Sequence, residues 1–280
     1  MQNTVRALKL TPGQDTEPIK AKISVRNVNN FFKSALGKIT TVLRDVNLEI
    51  CDHEFVAIVG PSGCGKSTLL NMMAGLIKPD TGEVLFDGSP VEGVNSKVGY
   101  MSQADALMPW RTVIENVELG LEIKGVPMKE RRSIASDLIG RVGLGGFEAS
   151  YPRELSGGMR KRVDIMRILA LEPEVLFMDE PFGPLDVFTR EMLQDDILRI
   201  WQETKKTIVF VTHDLAEAIT LADRVILMTA RPSTIKADYH IPLARPRSAI
   251  DIRFAPQFIK LHKLIWNDLR DEVSRAKGGE

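Results

Sequence analysis

Cysteine is scarce. Only Cys51 and Cys64 occur in 280 residues. Two thiols build no disulfide framework, so a small stapled extracellular scaffold is excluded and a reducing, cytoplasmic setting fits. Charge of one sign is also missing: 37 Lys and Arg balance 37 Asp and Glu. There is then no electrostatic case for nucleic acid as the main partner. Long hydrophobic runs are absent. Stretches such as Val175–Met178 and Ile208–Val211 fall far short of the ~20 residues a bilayer-spanning helix needs. The N-terminal MQNTVRALKL lacks the apolar core of a signal peptide. There is no internal repeat. The remaining composition, 44% hydrophobic and 26% charged, is that of a globular chain of one or two domains with a sizeable core.

Against these absences stands one stretch with no mismatch to a known pattern. Gly60, Pro61, Ser62, Gly63, Cys64, Gly65, Lys66, Ser67 and Thr68 read GPSGCGKST and fit the phosphate-loop form G-x-x-x-x-G-K-[ST]. Val56–Val59 before it reads as a buried strand, and Leu69, Leu70, Met72, Met73 and Leu76 after it recur at helical spacing. Glycines let the backbone curl so that N–H groups point at phosphate oxygens, and a helix N-terminus adds its dipole. Lys66 is expected to reach the terminal phosphates and Ser67 to hold Mg²⁺ through its hydroxyl.

Taken in order, residues 1–20 read as a flexible tail rich in polar residues. Ile23–Val28 alternates apolar and polar as a half-buried strand, Asn29–Gly37 reads as a turn region, and Thr41–Ile50 alternates again. The helix after the phosphate loop is expected to close at Lys78-Pro79-Asp80, with Thr81–Gly88 a strand ending in an Asp-Gly turn. Val98–Met101 is a short strand leading to Ser102 and Gln103. From about Val113 to Gly146 the pattern becomes helical, as an insertion. Strands at Val175–Met178, Ile208–Val211 and Val225–Met228 then alternate with helices at Arg190–Glu203 and Leu215–Ala222. Such alternation predicts an α/β fold with a mostly parallel sheet and helices on both sides. Pro232 and Pro242–Pro246 break it, and Phe258, Leu261, Ile265 and Leu269 mark a last amphipathic helix.

Two further constellations carry chemistry. Asp179 and Glu180 follow a buried strand. There a carboxylate can bind Mg²⁺ while its neighbour orients or deprotonates an attacking water. Leu155-Ser156-Gly157-Gly158-Met159 precedes the helical run Met159–Leu171, a second helix N-terminus suited to anions.

With these residues in order, the sequence resembles the ATP-binding subunits of ABC transporters over roughly Ile23 to Pro246. GPSGCGKST resembles their Walker A loop, Gln103 their Q-loop and LSGGMRKR their signature motif. Val175–Glu180 resembles Walker B, Pro184-Leu185-Asp186 the D-loop, and Val211-Thr212-His213-Asp214 the switch-histidine segment. Leu107–Val113, Ala230-Arg231-Pro232 and Pro242–Arg247 are similar to segments of the nitrate/sulfonate/taurine (bicarbonate) importer branch.

The resemblance implies a P-loop NTPase fold of the ABC ATPase type: a central sheet flanked by helices, an N-terminal antiparallel β subdomain and a helical subdomain. It implies an ATPase domain over residues 21–248, with the helical subdomain at about 104–172, then a C-terminal helix and tail over 249–280. By resemblance Phe32 would stack on adenine, with Phe31 the neighbouring candidate. Lys66 would bind the β- and γ-phosphates. Ser67, Gln103 and Asp179 would serve Mg²⁺ or its water, Glu180 would be the general base and His213 would contact the γ-phosphate. Ser156 and Gly158 would reach ATP held by a second copy, and Asp186 would couple the two sites.

The implied assembly is a head-to-tail dimer sandwiching two ATP molecules. It would dock on two transmembrane permease subunits, served indirectly by a solute-binding protein, at the cytoplasmic face of a bacterial inner membrane. Asp105–Arg111 would receive a cytoplasmic helix of the permease, with ordinary packing the alternative for Met108, Pro109 and Trp110. The expected function is ATP hydrolysis powering uptake of a small anion such as nitrate, taurine or an aliphatic sulfonate. The alternative is a soluble ABC ATPase acting on DNA or the ribosome. A P-loop kinase or GTPase leaves LSGGM unexplained, and no Asn-Lys-x-Asp string occurs. Two residues depart from the family pattern: Pro184 where a small residue is usual, and Asp164 where alanine is usual. Asp164 has Arg160, Lys161 and Arg167 within helical reach.

Overall fold

The computed structural model describes residues 21–33, 37 and 39–278. The expected tail at 1–20 lies outside them. Two sheets organise the chain. The first is antiparallel, with strand order β2-β1-β4-β5, formed by β1 (Ala21–Lys33), β2 (Ile39–Cys51), β4 (Thr81–Phe86) and the short β5 (Ser89–Pro90). The second has order β10-β9-β3-β8-β7-β6, from β3 (Phe55–Val59), β6 (Val98–Met101), β7 (Val175–Asp179), β8 (Thr207–Val211), β9 (Arg224–Met228) and β10 (Ile235–His240). It is parallel from β9 to β6, with β10 antiparallel at one edge.

β3 explains why its five residues are all apolar. Phe55, Ala57 and Val59 face a core shared with the helices, while Val56 and Ile58 face a second core shared with the antiparallel sheet and the helix after the phosphate loop. A strand buried on both faces has no position for a polar side chain. The helices are α1 (Lys66–Met73), α2 (Val113–Ile123), α3 (Met128–Arg141), α4 (Gly157–Leu169), α5 (Val187–Thr204), α6 (Leu215–Leu221) and α7 (Pro256–Gly278). A short 3-10 turn, Asp251–Phe254, precedes α7. The helices α2, α3 and α4 pack on one another as a block. Phe258, Ile265 and Leu269 of α7 are buried in the helical core, as their spacing predicts.

Three local expectations need correction. Asn29–Lys33 is not a turn but the end of β1, held by bulged pairing to β2 that sets Phe31 opposite Thr41 and Phe32 opposite Thr40. The bulges hid the strand, because they break strict alternation. Helix α1 ends at Met73 and Leu76 is half exposed, so the apolar periodicity overran the helix. Finally, β10 lies between the proline segments. Its sequence IKADYH is a half-exposed edge strand with no apolar run to announce it.

Candidate active site

The loop Gly60–Gly65 links β3 to α1, and backbone geometry fixes it. Gly65 has φ 118°, and a Cβ there would come within 2.9 Å of Val42 and Leu43 on β2. Only glycine satisfies both conditions. Cys64 is buried, and burial pushes its thiol up despite nearby Lys66. Lys66 is buried as well, and its Nζ donates to the carbonyls of Gly60 and Pro61 at 3.0 and 3.1 Å. A buried ammonium is tolerated only with such partners.

The parallel sheet aligns the C-terminal ends of β3, β7 and β8, where a ligand crevice is expected in a sheet of this kind. Ser67 Oγ donates to Asp179 Oδ1 at 2.9 Å, so the loop and the end of β7 meet. Burial is the largest influence on the Asp179 carboxyl and raises it above the ordinary value; Glu180 adds to the rise. Tyr100 of β6 sits beside Asp179, and burial together with that carboxylate pushes its phenol up to about 12. Nothing in the sequence marked Tyr100, because its role follows from β6 pairing with β7. Glu180 has a left-handed backbone, φ 45°, its N–H held by Val211 O at 2.9 Å. That conformation costs a non-glycine residue energy, and it aims the carboxylate at the end of β8, where His213 Nδ1 lies 3.0 Å from Glu180 Oε2.

Behind His213 is a polar network. Thr212 Oγ1 donates to buried Glu217 at 2.7 Å, and Gln194 of α5 contacts the same carboxylate at 3.3 Å. Arg253 of the 3-10 turn reaches Gln194 at 3.2 Å. No motif or spacing announces this wiring.

Gln103 and the LSGGM segment meet through basic residues of α4. Lys161 Nζ donates to Gln103 O at 2.9 Å and pairs with Asp105 at 3.0 Å; Arg160 pairs with the same carboxylate at 3.0 Å. Burial pushes the Asp105 carboxyl up, and the two cations more than reverse it. Arg160 and Lys161 being so engaged, Asp164 pairs with Arg167 at 2.7 Å. The Gln103 amide lies near Gly183, 3.7 Å from where a Cβ there would sit.

Ser156 caps α4 by accepting from Met159 N at 3.3 Å, and Asp186 caps α5 by accepting from Thr189 N at 3.1 Å. These two helix N-termini touch: a Cβ on Gly158 would lie 2.4 Å from Thr189 Cγ2. Ser156, Gly158 and Asp186 thus form one group, with no hydrogen bond among the described residues to Lys66, Ser67, Asp179 or Glu180. Pro184 is exposed. Phe32 is 63% exposed and so stands outside the core; Phe31 is 43% exposed.

Trp110 stands out at 71% exposure, which likewise rules out ordinary packing for its ring. The loop bearing it is rigid. Asn116 is fully buried, accepts from Met108 N at 2.7 Å and donates to the carbonyls of Met108, Arg111 and Thr112. Thr112 and Glu115 cap α2 reciprocally.

The family profile for ABC transporters matches residues 43–183, spanning the phosphate loop, the LSGGM helix and the Asp179–Glu180 strand end. The chain belongs to the ABC transporter family. An uncharacterized ABC transporter ATP-binding protein of Methanocaldococcus jannaschii is 48% identical over 258 residues, 92% of this chain and 95% of the relative. A taurine import ATP-binding protein of Pseudomonas savastanoi pv. phaseolicola is 42% identical, over 86% and 94% of the two chains. Among solved structures, a dimeric ATP-binding cassette in a post-hydrolysis state bound to ADP and Pi superimposes with TM-score 0.70 at 33% identity. It covers 79% of this chain and all of that one. The cassette is therefore an ATP-binding ABC ATPase whose hydrolysis is coupled to transport, with the P-loop fold that the sequence led us to expect. Among the described residues, no helix is long and apolar enough to cross a membrane.

Proposed function

We propose that the cassette is the ATPase subunit of an importer for a small anion such as nitrate, taurine or an aliphatic sulfonate. It works as a head-to-tail dimer on separate permease subunits at the cytoplasmic membrane face. The observation that carries the ATPase chemistry is the adjacent pair Asp179 and Glu180, one bonded to Ser67 and the other to His213. Two neighbouring carboxylates thereby acquire different partners and different tasks. The taurine import relative supports the solute class.

In this reading the N–H groups of Gly60–Thr68 cradle the phosphates, and Lys66 exchanges its loop carbonyls for phosphate oxygens. Phe32 offers an exposed ring for adenine. Glu180 orients a water and accepts its proton as the water oxygen bonds to the γ-phosphorus. The bond from that phosphorus to the β–γ bridging oxygen breaks, and ADP leaves with the electron pair. His213, braced against Glu180, donates to the γ-phosphate. Mg²⁺ fits the residues present. Among the described residues no cluster of His, Cys, Asp or Glu could cage a metal, but Ser67, Asp179 and Gln103 offer oxygen donors to an ion that keeps waters and phosphate oxygens. When bound, it would neutralise phosphate charge. Ser156 and Gly158 complete the site of a second copy, and Asp186 links the two. Trp110, on its Asn116-braced loop, is the docking point for the permease.

Co-purification from detergent-solubilised membranes tests this reading. We expect recovery with a polytopic membrane protein, reduced by Trp110→Ala. Recovery with ribosomes or DNA and no membrane protein would overturn it.

A further inference from the structure

The hairpin between β9 and β10 is seated on the phosphate loop at three points. A Cβ on Gly60 would meet Met228 O at 3.0 Å, Ser233 lies against Cys64, and a guanidinium nitrogen of Arg231 lies 3.5 Å from where a Cβ on Gly63 would sit. The seat is fixed by backbone. Ser233 N donates to Val42 O at 2.9 Å and Arg44 N to Ser233 O at 2.8 Å, tying the hairpin to β2. Within the hairpin, Thr229 N donates to Thr234 O at 3.0 Å and Ser233 Oγ to Thr229 O at 2.9 Å. Its tip is held from outside the cassette core: Ala230 N donates to Glu272 Oε2 of α7 at 3.0 Å. Glu272 is buried, and its other oxygen takes Lys236 at 2.9 Å and Arg275 at 3.0 Å.

Arg231 itself is exposed, and among the described residues no carboxylate lies within ion-pair distance of it. A guanidinium carried at a phosphate loop on a hairpin whose backbone is fixed, with no carboxylate partner among the described residues, is chemically matched to one kind of ligand. Its planar donors suit phosphate oxygens, and the fixed backbone keeps the side chain within reach of the loop.

We propose that Arg231 is a further nucleotide-binding residue, contacting the polyphosphate held by Gly60–Thr68, and that Glu272 of α7 positions the hairpin that carries it. The inference rests on the loop being the nucleotide site, and it makes the C-terminal helix part of that site's scaffold.

The test is calorimetric binding of ATP, ADP and adenosine to the full chain, at protein concentrations where it is monomeric. Arg231→Ala should bind ATP about ten-fold more weakly, with a shallower salt dependence and unchanged adenosine affinity. Arg231→Lys should recover part of the loss. Glu272→Gln should weaken ATP binding in the same direction, and the double variant should bind no worse than Arg231→Ala alone. Monomeric Arg231→Ala with wild-type affinity for ATP and ADP would overturn the proposal, including the case where only dimerisation suffers and Arg231 serves a second copy's carboxylate. A Glu272→Gln chain that melts earlier but binds ATP normally would overturn the positioning role. If the wild type bound no ATP while Lys66→Ala behaved identically, the nucleotide site itself would be wrong, a different failure.

Discussion

The phosphate-loop region and the LSGGM region are built on opposite plans. In the first, side chains from distant strands bond to one another: Ser67 to Asp179 and His213 to Glu180. In the second, among the described residues, the side chains of Ser156 and Asp186 bond only to their own helices, as caps. One region is a converged site within a single chain. The other is a pair of abutting helix N-termini whose donors and dipoles meet no anionic side chain of the first region among the described residues. On the proposed reading these are two unlike halves of a site, which a second copy in reversed orientation would join.

Breaking the converged half should have the largest effect. Glu180→Gln keeps the shape of the side chain but removes the proposed base. Turnover should fall about 10²–10⁴-fold while ATP affinity is retained; near wild-type phosphate release in a steady-state assay would refute the assignment. Breaking the other half should separate binding from hydrolysis. Gly158→Ala drives a methyl into Thr189, with 2.4 Å available. We expect a stability cost of about 1–3 kcal/mol by thermal melting, normal ATP binding by the monomer, and slowed hydrolysis.

The smallest effect concerns Asp164, away from both halves. Burial raises its carboxyl above the ordinary value, and one oxygen has no hydrogen-bond partner. A carboxyl so shifted is penalised when ionised, so the folded state loses stability as pH rises through the folded value and recovers it as pH falls. Asp164→Asn removes that penalty at the cost of the Arg167 pair, so its stability relative to wild type should rise with pH, by on the order of 1 kcal/mol between acid and neutrality. Denaturant melts across that range follow the change.

The same two regions show what a sequence reveals. Strands such as Val175–Asp179 and Thr207–Val211 are legible because burial on both faces forces an apolar run. The phosphate loop is legible because its glycines answer a backbone requirement. What joins distant segments is not legible. Arg160 reaches Asp105 across 55 residues, Tyr100 meets Asp179 only through strand pairing, and Ala230 meets Glu272 only once α7 has packed. The edge strand β10 and the bulged end of β1 escaped for a related reason. Their stability comes from neighbours and not from their own pattern. Phe32, the candidate adenine platform, lies on that bulged end, so its exposure became visible only with the fold.

The measurement that bears most directly on the two-halves account is the solution mass of Glu180→Gln with and without ATP, by light scattering. The account predicts a monomer alone, a dimer with ATP and Mg²⁺, and no dimer when Gly158→Ala is added. A Glu180→Gln chain that binds ATP and stays monomeric at every protein concentration would contradict it.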